Sequence, residues 1–454
     1  MVFIHGGGWI AGAASKIIYG PDYFLEHDVI YVAGNYRLGP LGFLSTEQED
    51  CSGNFGFKDQ VMLLKWVQHN IEKFGGNPES VTIFGESAGA ASVNHIMMDP
   101  MAKGLFHRAI SQSGTTMNSW ADVPRPGLAK MRAIRLGNMM SCPTANTSLK
   151  KMIDCLRKVD AKRLTKASIE FFEWDNDPVV IFGPVVEKQR DEEPFINDYR
   201  FYKHSLDIPW ITGVTSEEGS LKSAIFINEN KMREKLNKDW DRALPASLFY
   251  DHLEDKKQDA ITKELNDFYF NGEKFTESNG GNLTNLFSDG WFLAGMMDNL
   301  QYRLKNNQRD NTYVYLFSHK GTASWTEKVN GGAENYYGTS HADDLLYMFP
   351  IRKGVPTYFN SIPTEQDNQL TKTLVELWVN FAYTGNPTPK DSLLLKWSPA
   401  KSFPFDYLRI GNNNGESDDL LSMEKNLYPE RAAFWRKLRR NFPKWTQENY
   451  KDEL

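Results

Sequence analysis

Gly85-Glu86-Ser87-Ala88-Gly89 fits G-x-S-x-G. At ordinary glycine and serine usage such a match arises by chance in roughly one chain of this length in six, so its surroundings decide. It follows the strand-like VTIF and precedes AGAASVNHIM, whose small residues suit a helix. That is the strand-to-helix elbow which lifts a serine hydroxyl out for nucleophilic attack. The hydroxyl is weak on its own. It needs a base to take its proton and an acid to orient that base, and on such an elbow they follow in the order Ser, Asp/Glu, His.

Past Ser87, the acid belongs just beyond a strand end, where Glu217 and Glu218 follow IPWITGV and precede Gly219. The choice falls on Glu218, because the adjacent glycine lets the chain turn and aim that carboxylate inward. Of nine histidines, His252, His319 and His341 come later. His252 sits among charges in DHLEDKK and reads as solvent-facing, and His319 ends the strand TYVYLFS and reads as a packed strand-end residue. His341 lies in the Gly-rich polar loop GGAENYYGTSHADD and is the expected base. The oxyanion formed on attack needs backbone N–H donors. His5-Gly6-Gly7-Gly8-Trp9 is a glycine loop of the HGGG kind, so the N–H groups of Gly7, Gly8 and Ala88 are the expected donors.

These residues need a scaffold of alternating strands and helices. VFIHG, DVIYVAGNY, SVTIFGES and RAISQSG are β-branched apolar runs ending in turn residues, as buried parallel strands are, and IPWITGV and TYVYLFSH continue the series. Leu64, Val67, Ile71 and Phe74 recur at helical spacing between Lys58 and Phe74, stopped by Gly75-Gly76. Leu370, Leu374, Leu377 and Phe381 repeat the pattern before Gly385. Residues of about 221–303 are charged and helix-rich without strand signals, which reads as an insertion over one end of the sheet. With no linker or repeat, residues 1–454 read as one α/β domain with a doubly wound, mostly parallel sheet, a C-terminal helix and a tail over about 428–454.

The net charge of −6 excludes the concentrated positive field that nucleic acid or an anionic membrane requires. No run approaches the roughly 18 apolar residues of a membrane span, and no cluster has metal-ligand spacing. Of three cysteines, Cys142 and Cys155 bracket a short polar segment and either close it as a disulfide or stay two buried thiols, leaving Cys51 as an inert free thiol. Asn146 and Asn282 head N-x-[ST] glycosylation acceptors. Lys451-Asp452-Glu453-Leu454 is an endoplasmic-reticulum retention address, yet nothing after Met1 reads as a signal peptide. The two ends together suggest a natural N-terminus upstream, with lumenal residence provided a leader exists there, and a secreted or cytoplasmic place as the alternative.

Together these residues resemble the type-B carboxylesterase and cholinesterase family of α/β-hydrolases. The likeness runs through NYRLGPLGFL, GNFGFKDQ, LLKWVQHNIEKFGGNPESVTIFGESAGAASV, LFHRAISQSG, VTSEEGS, YGTSHADDLLYMF and LWVNFAYTGNP, from His5 to about Trp435 and more weakly in the insertion. It implies an α/β-hydrolase that cleaves small carboxylic esters without a cofactor or metal. Ser87, His341 and Glu218 would form the triad and Gly7, Gly8 and Ala88 the oxyanion hole. Trp120 and Glu86 would line the substrate pocket, and organophosphates would acylate the same serine. The resemblance also implies a buried Arg37–Asp59 ion pair and a Cys142–Cys155 disulfide. GGGWIAG and GNFGFKDQ look most like insect carboxylesterases, although GESAG departs from the GQSAG usual in juvenile hormone esterases. The family's leading strands, with one disulfide and the alcohol-side tryptophan, are absent. Two rival readings follow: a catalytically silent, neuroligin-like adhesion protein, or an inactive truncated product.

Overall fold

A computed structural model describes residues 1–122, 126–144, 149–187, 195, 205–307, 309–329, 335–350 and 361–442. Among the described residues eight strands form one sheet: β1 (Val2–Ile4), β2 (Val32–Ala33), β3 (Thr82–Glu86), β4 (Arg108–Gln112), β5 (Trp210–Thr215), β6 (Thr312–Phe317), β7 (Asp406–Ile410) and β8 (Leu421–Lys425). Their order is β2-β1-β3-β4-β5-β6-β7-β8. Every pairing is parallel except the antiparallel β7–β8 edge.

Strand residues alternate between two apolar layers. Phe3, Phe84, Ile110, Ile211, Tyr313, Tyr315 and Phe317 face one side with Leu370, Leu374, Leu377, Trp378 and Phe381. Val2, Ile4, Ile83, Ala109, Trp210, Val214, Val314 and Leu316 face the other with Phe57, Val61, Leu64 and Val67. This is the two-residue period of a strand written into a sheet covered on both faces, and it explains why these segments read as continuous apolar runs. Each large side chain so buried contributes about 1.5–3 kcal/mol.

Helices α1 (Phe55–Asn70) and α2 (Ala88–Met98) cover the second face. From α3 (Ser220–Asn228) through α4 (Gly280–Ser288) to α5 (Ala294–Asn306) the chain is mainly helical, with no strand among the described residues between β5 and β6. The charged helix-rich segment expected there runs slightly longer than 221–303. Helix α6 (Glu365–Thr384), opened by the Thr364 capping box and closed by Gly385, lies on the first face, and α7 (Pro429–Asn441) is the C-terminal helix. No helix among the described residues is long and apolar enough to cross a membrane.

Some expectations need correction. DVIYVAGNY contributes only Val32–Ala33 to the sheet, with both residues half-buried. β7 and β8 were not foreseen, and the half-exposed edge strand β8 has no apolar run to announce it. Arg37 and Asp59 do pair, at 2.8 Å, but their side chains are 51% and 28% exposed, so the pair is a surface one. Nor is His252 solvent-facing, its side chain being 17% exposed. Asn146 and Lys451–Leu454 lie outside the described residues.

Cys142 and Cys155 are bonded across a separation of 13 residues, and Cys51 is buried and free. Closing a loop of that size restricts the unfolded chain by about 3 kcal/mol. The Cys142→Ser/Cys155→Ser variant is expected to lose about that much unfolding free energy in a denaturant titration. A loss well under 1 kcal/mol would show that the bridge does not constrain the chain.

Candidate active site

The carboxyl ends of the parallel strands converge, as they do wherever an open α/β sheet builds a crevice. The HGGGW loop follows β1, Ser87 follows β3, Ser113–Trp120 follow β4, Glu217 and Glu218 follow β5, and the His341 loop comes after β6. Ser87 joins β3 to α2 at φ 59°, ψ −126°, a conformation L-residues avoid. Its N–H donates to the Gln112 carbonyl at 2.8 Å, and its carbonyl accepts from Ala91 at 2.9 Å. Tight packing makes the elbow possible: a Cβ on Gly89 would lie 2.0 Å from the Ile4 carbonyl oxygen, and one on Gly6 would lie 2.9 Å from Cβ of Ser87. The glycine loop therefore crosses directly beside the serine. Gly7 and Gly8 hold φ of 110° and 59°. Among the described residues nothing takes up the N–H groups of Gly7, Gly8 or Ala88.

Glu218 is buried and accepts from the Thr215 N–H at 2.8 Å through Oε1, which leaves Oε2 for His341 Nδ1 at 2.6 Å. The imidazole lies under the Phe292 ring, with centroids 4.4 Å apart and planes 26° from parallel. Its other nitrogen, Nε2, stands 3.1 Å from Glu86 Oε1, without the alignment of a hydrogen bond. Burial pushes the Glu86 carboxyl above the usual range, where the neighbouring Asp344 and Glu218 carboxylates reinforce the shift and His341 opposes it. Burial alone would lower His341, but Glu86 and Glu218 outweigh it and the net shift is upward.

His319 is buried at the end of β6, with Nε2 3.0 Å from Asp367 Oδ1 and far along the chain from the Ser87 elbow. Trp120 is buried, its indole N–H donating to the Trp291 carbonyl at 2.8 Å, and it packs between Trp9 at 5.7 Å and Phe292 at 5.9 Å. No group of three His, Cys, Asp or Glu among the described residues is arranged to hold a metal ion.

Several residues at this site escaped the sequence reading. Glu217 points away from its neighbour and grips the histidine loop. Its N–H donates to the Thr339 carbonyl at 3.0 Å, and its Oε2 accepts from the Thr339 N–H at 2.9 Å. Asn414, from the turn after β7, donates to both its oxygens at 3.2 Å. Asp343 accepts from Ser340, Trp325 and Ser324 at 2.7–2.8 Å, yet burial holds its carboxyl up at about 8. Asp344 takes Gln112 at 2.7 Å and Tyr315 at 3.2 Å. Phe292 arrives from the helical segment 74 positions after Glu218, where an aromatic in the apolar run WFLAGMM carries no site signal.

The sequence profile described as the Carboxylesterase family matches residues 1–435. Juvenile hormone esterase of Tribolium castaneum is 35% identical over 466 residues, which span 98% of this chain and 78% of that protein. Esterase FE4 of Myzus persicae is 35% identical over 414 residues, 90% of this chain and 70% of that protein. The crystal structure of juvenile hormone esterase from Manduca sexta, with OTFP covalently attached, superposes with a TM-score of 0.81 at 26% identity, covering 97% of this chain and 80% of that one.

Glu217 ties the histidine loop to β5, so its loss leaves the Thr339 N–H without its carboxylate and lets His341 drift. Glu217→Ala is expected to lower kcat by about 10- to 100-fold with KM little changed, and to cost about 1–3 kcal/mol of stability. Glu217→Gln, which keeps one acceptor oxygen, should lie between. Unchanged kcat in Glu217→Ala would show that the loop holds its place without the grip.

Proposed function

The chain belongs to the carboxylesterase family and is a carboxylic ester hydrolase, and we propose that it acts through Ser87, His341 and Glu218 with an acyl-enzyme intermediate. The observation that carries this reading is the 2.6 Å contact between His341 Nδ1 and Glu218 Oε2, with Nε2 facing Glu86, the residue before Ser87.

In the acylation half, Ser87 Oγ attacks the ester carbonyl carbon while His341 Nε2 takes the hydroxyl proton, a transfer worth about 10²–10⁴ in rate. The carbonyl oxygen becomes an oxyanion received by the N–H groups of Gly7, Gly8 and Ala88, each worth about 100- to 1000-fold. The imidazolium, stabilised by Glu218, then protonates the leaving alcohol as the carbon–oxygen bond breaks. In the second half, water loses its proton to His341 and attacks the acyl carbon, the Ser87 oxygen leaves and regains a proton, and the carboxylic acid is released. Trp120 and Glu86 line the pocket, and organophosphates are expected to phosphorylate Ser87 by the same attack.

The chain is read as one domain, with the helices between β5 and β6 as its insertion. Asn282, partly exposed on α4, is read with Asn146 as a glycosylation site, and Lys451–Leu454 as a lumenal retention address.

Labelling the 454-residue chain with a fluorophosphonate, followed by peptide mass spectrometry, is expected to modify Ser87 and to give no adduct in Ser87→Ala. A folded wild-type chain that stays unlabelled would defeat the triad reading. The pH profile supplies a second check. The carboxylate of Glu86 favours protonated His341, and the base works only when neutral, so activity is lost as pH falls through the histidine's pKa. Glu86→Gln removes that charge, lowers the histidine's pKa and should move the acid limb of kcat/KM down by about one pH unit. An unmoved limb would mean that Glu86 does not share the proton economy of His341.

A further inference from the structure

Between α4 and α5 the helix does not stay α-helical. Asp289–Leu293 form a π turn, in which the N–H of Ala294 donates to the Asp289 carbonyl five residues back. The extra residue of such a turn offsets the helix on its two sides by about 100°. Phe292, 4% exposed, is thereby laid on the His341 imidazole at 4.4 Å. Closing the segment into an ordinary α-helix would rotate that ring off the histidine.

Three successive carbonyls of this turn accept from three successive side chains of the loop after β4. Ser119 Oγ donates to Gly290 at 3.0 Å. Asn118 Nδ2 donates to both Trp291 and Phe292 at 2.7 Å, and Trp120 Nε1 donates to Trp291 at 2.8 Å. The orientation of the Asn118 amide follows from its surroundings: its Oδ1 accepts from the Thr115 N–H at 2.6 Å and the Thr115 hydroxyl at 3.0 Å, which turns its two N–H bonds to the carbonyls. Asn118 is fully buried, and the helix approaches so closely that a Cβ on Gly295 would lie 2.4 Å from the Asn118 nitrogen. The same loop leaves β4 directly after Gln112, whose carbonyl holds the Ser87 N–H.

We propose that the Asn118-Ser119-Trp120 side chains are a receptor for the π turn, and that Asn118 is a positioning residue which fixes His341 by holding Phe292 against its ring. One loop then ties the serine's side of the site to the histidine's side. This rests on the triad reading given above, with Phe292 as the intermediary and Asn118 touching neither substrate nor imidazole.

The test is a double-mutant cycle in the full chain. It is read by the kcat and KM of a nitrophenyl ester, by fluorophosphonate labelling of Ser87, and by thermal melting. Asn118→Asp keeps the volume but faces the two carbonyls with oxygens, and Phe292→Ala removes the ring. Each is expected to lower kcat by about 10- to 100-fold with KM within about three-fold. Phe292→Tyr, which keeps an aromatic ring for the stack, should lose less kcat than Phe292→Ala, and Asn118→Asp/Phe292→Ala should fall no further than about two-fold below Phe292→Ala alone. Wild-type kcat in Asn118→Asp, or losses that multiply in the double variant, would overturn the proposal. If Asn118→Asp fails to melt cooperatively, the Phe292 pair decides: a higher kcat in Phe292→Tyr than in Phe292→Ala supports it, while equal activities overturn it. An unlabelled wild type would instead overturn the triad reading, so the two failures are distinguishable.

Discussion

The backbone of Ser87 is the constraint on which the rest of the site depends. A non-glycine residue at φ 59°, ψ −126° costs about 1–3 kcal/mol and persists only where its surroundings over-determine it. Here β1 and β4 do so from either side of β3. The Ile4 carbonyl presses on the start of α2 so closely that Gly89 has no room for a side chain, and Gln112 holds the serine's N–H. Three adjacent parallel strands, each buried on both faces, resist the relaxation that would return Ser87 to an ordinary conformation. The same packing brings the glycine loop after β1 alongside the serine, so the scaffold that strains the elbow also delivers the free N–H groups beside it.

Electrostatics around His341 follow a second constraint, the expense of burying carboxyl groups. Glu86, Glu218, Asp343 and Asp344 are all buried. Glu218 is satisfied by the Thr215 N–H and the imidazole and Asp343 by two backbone N–H groups and Ser324, while Asp344 takes Gln112 and Tyr315 on Oδ2 and has no donor on Oδ1. The Glu86 Oε1 oxygen facing the histidine has no hydrogen-bond donor. The carboxylate on Nδ1 thus has hydrogen-bond donors on both oxygens, while the Glu86 carboxyl near Nε2 is held above its usual range by burial, with the imidazole opposing the shift.

The helices between β5 and β6 reach the site through the same physics. Besides the loop after β4, the π turn is held by its first residue, Asp289. That buried carboxylate takes Arg431 of α7 through Nε at 2.8–2.9 Å and also the Tyr269 hydroxyl, to which Trp435 Nε1 donates at 2.7 Å. Anchors 142 residues apart in sequence thus bear on the segment that carries Phe292. Bridging a buried charge to one partner on α7 makes the C-terminal helix part of the support of the imidazole.

Much of this was legible in the residues alone, because local patterns encode local geometry. The elbow reads from a strand, two glycines and small helix residues. The central parallel strands read from continuous apolar runs, since both their faces are covered, and the order serine, acid, histidine follows the order of the strand ends. What the tertiary structure decided involves contacts between distant segments. Glu217 and Glu218 are chemically identical neighbours, and only the arrival of Thr339 and His341 more than 120 residues later gives them opposite tasks. The β8 edge is half solvated and lacks an apolar run, and the Arg37–Asp59 pair has no sequence mark of its exposure. The π turn is written in hydrogen bonds to a loop some 170 positions away, where side-chain periodicity carries no record of it.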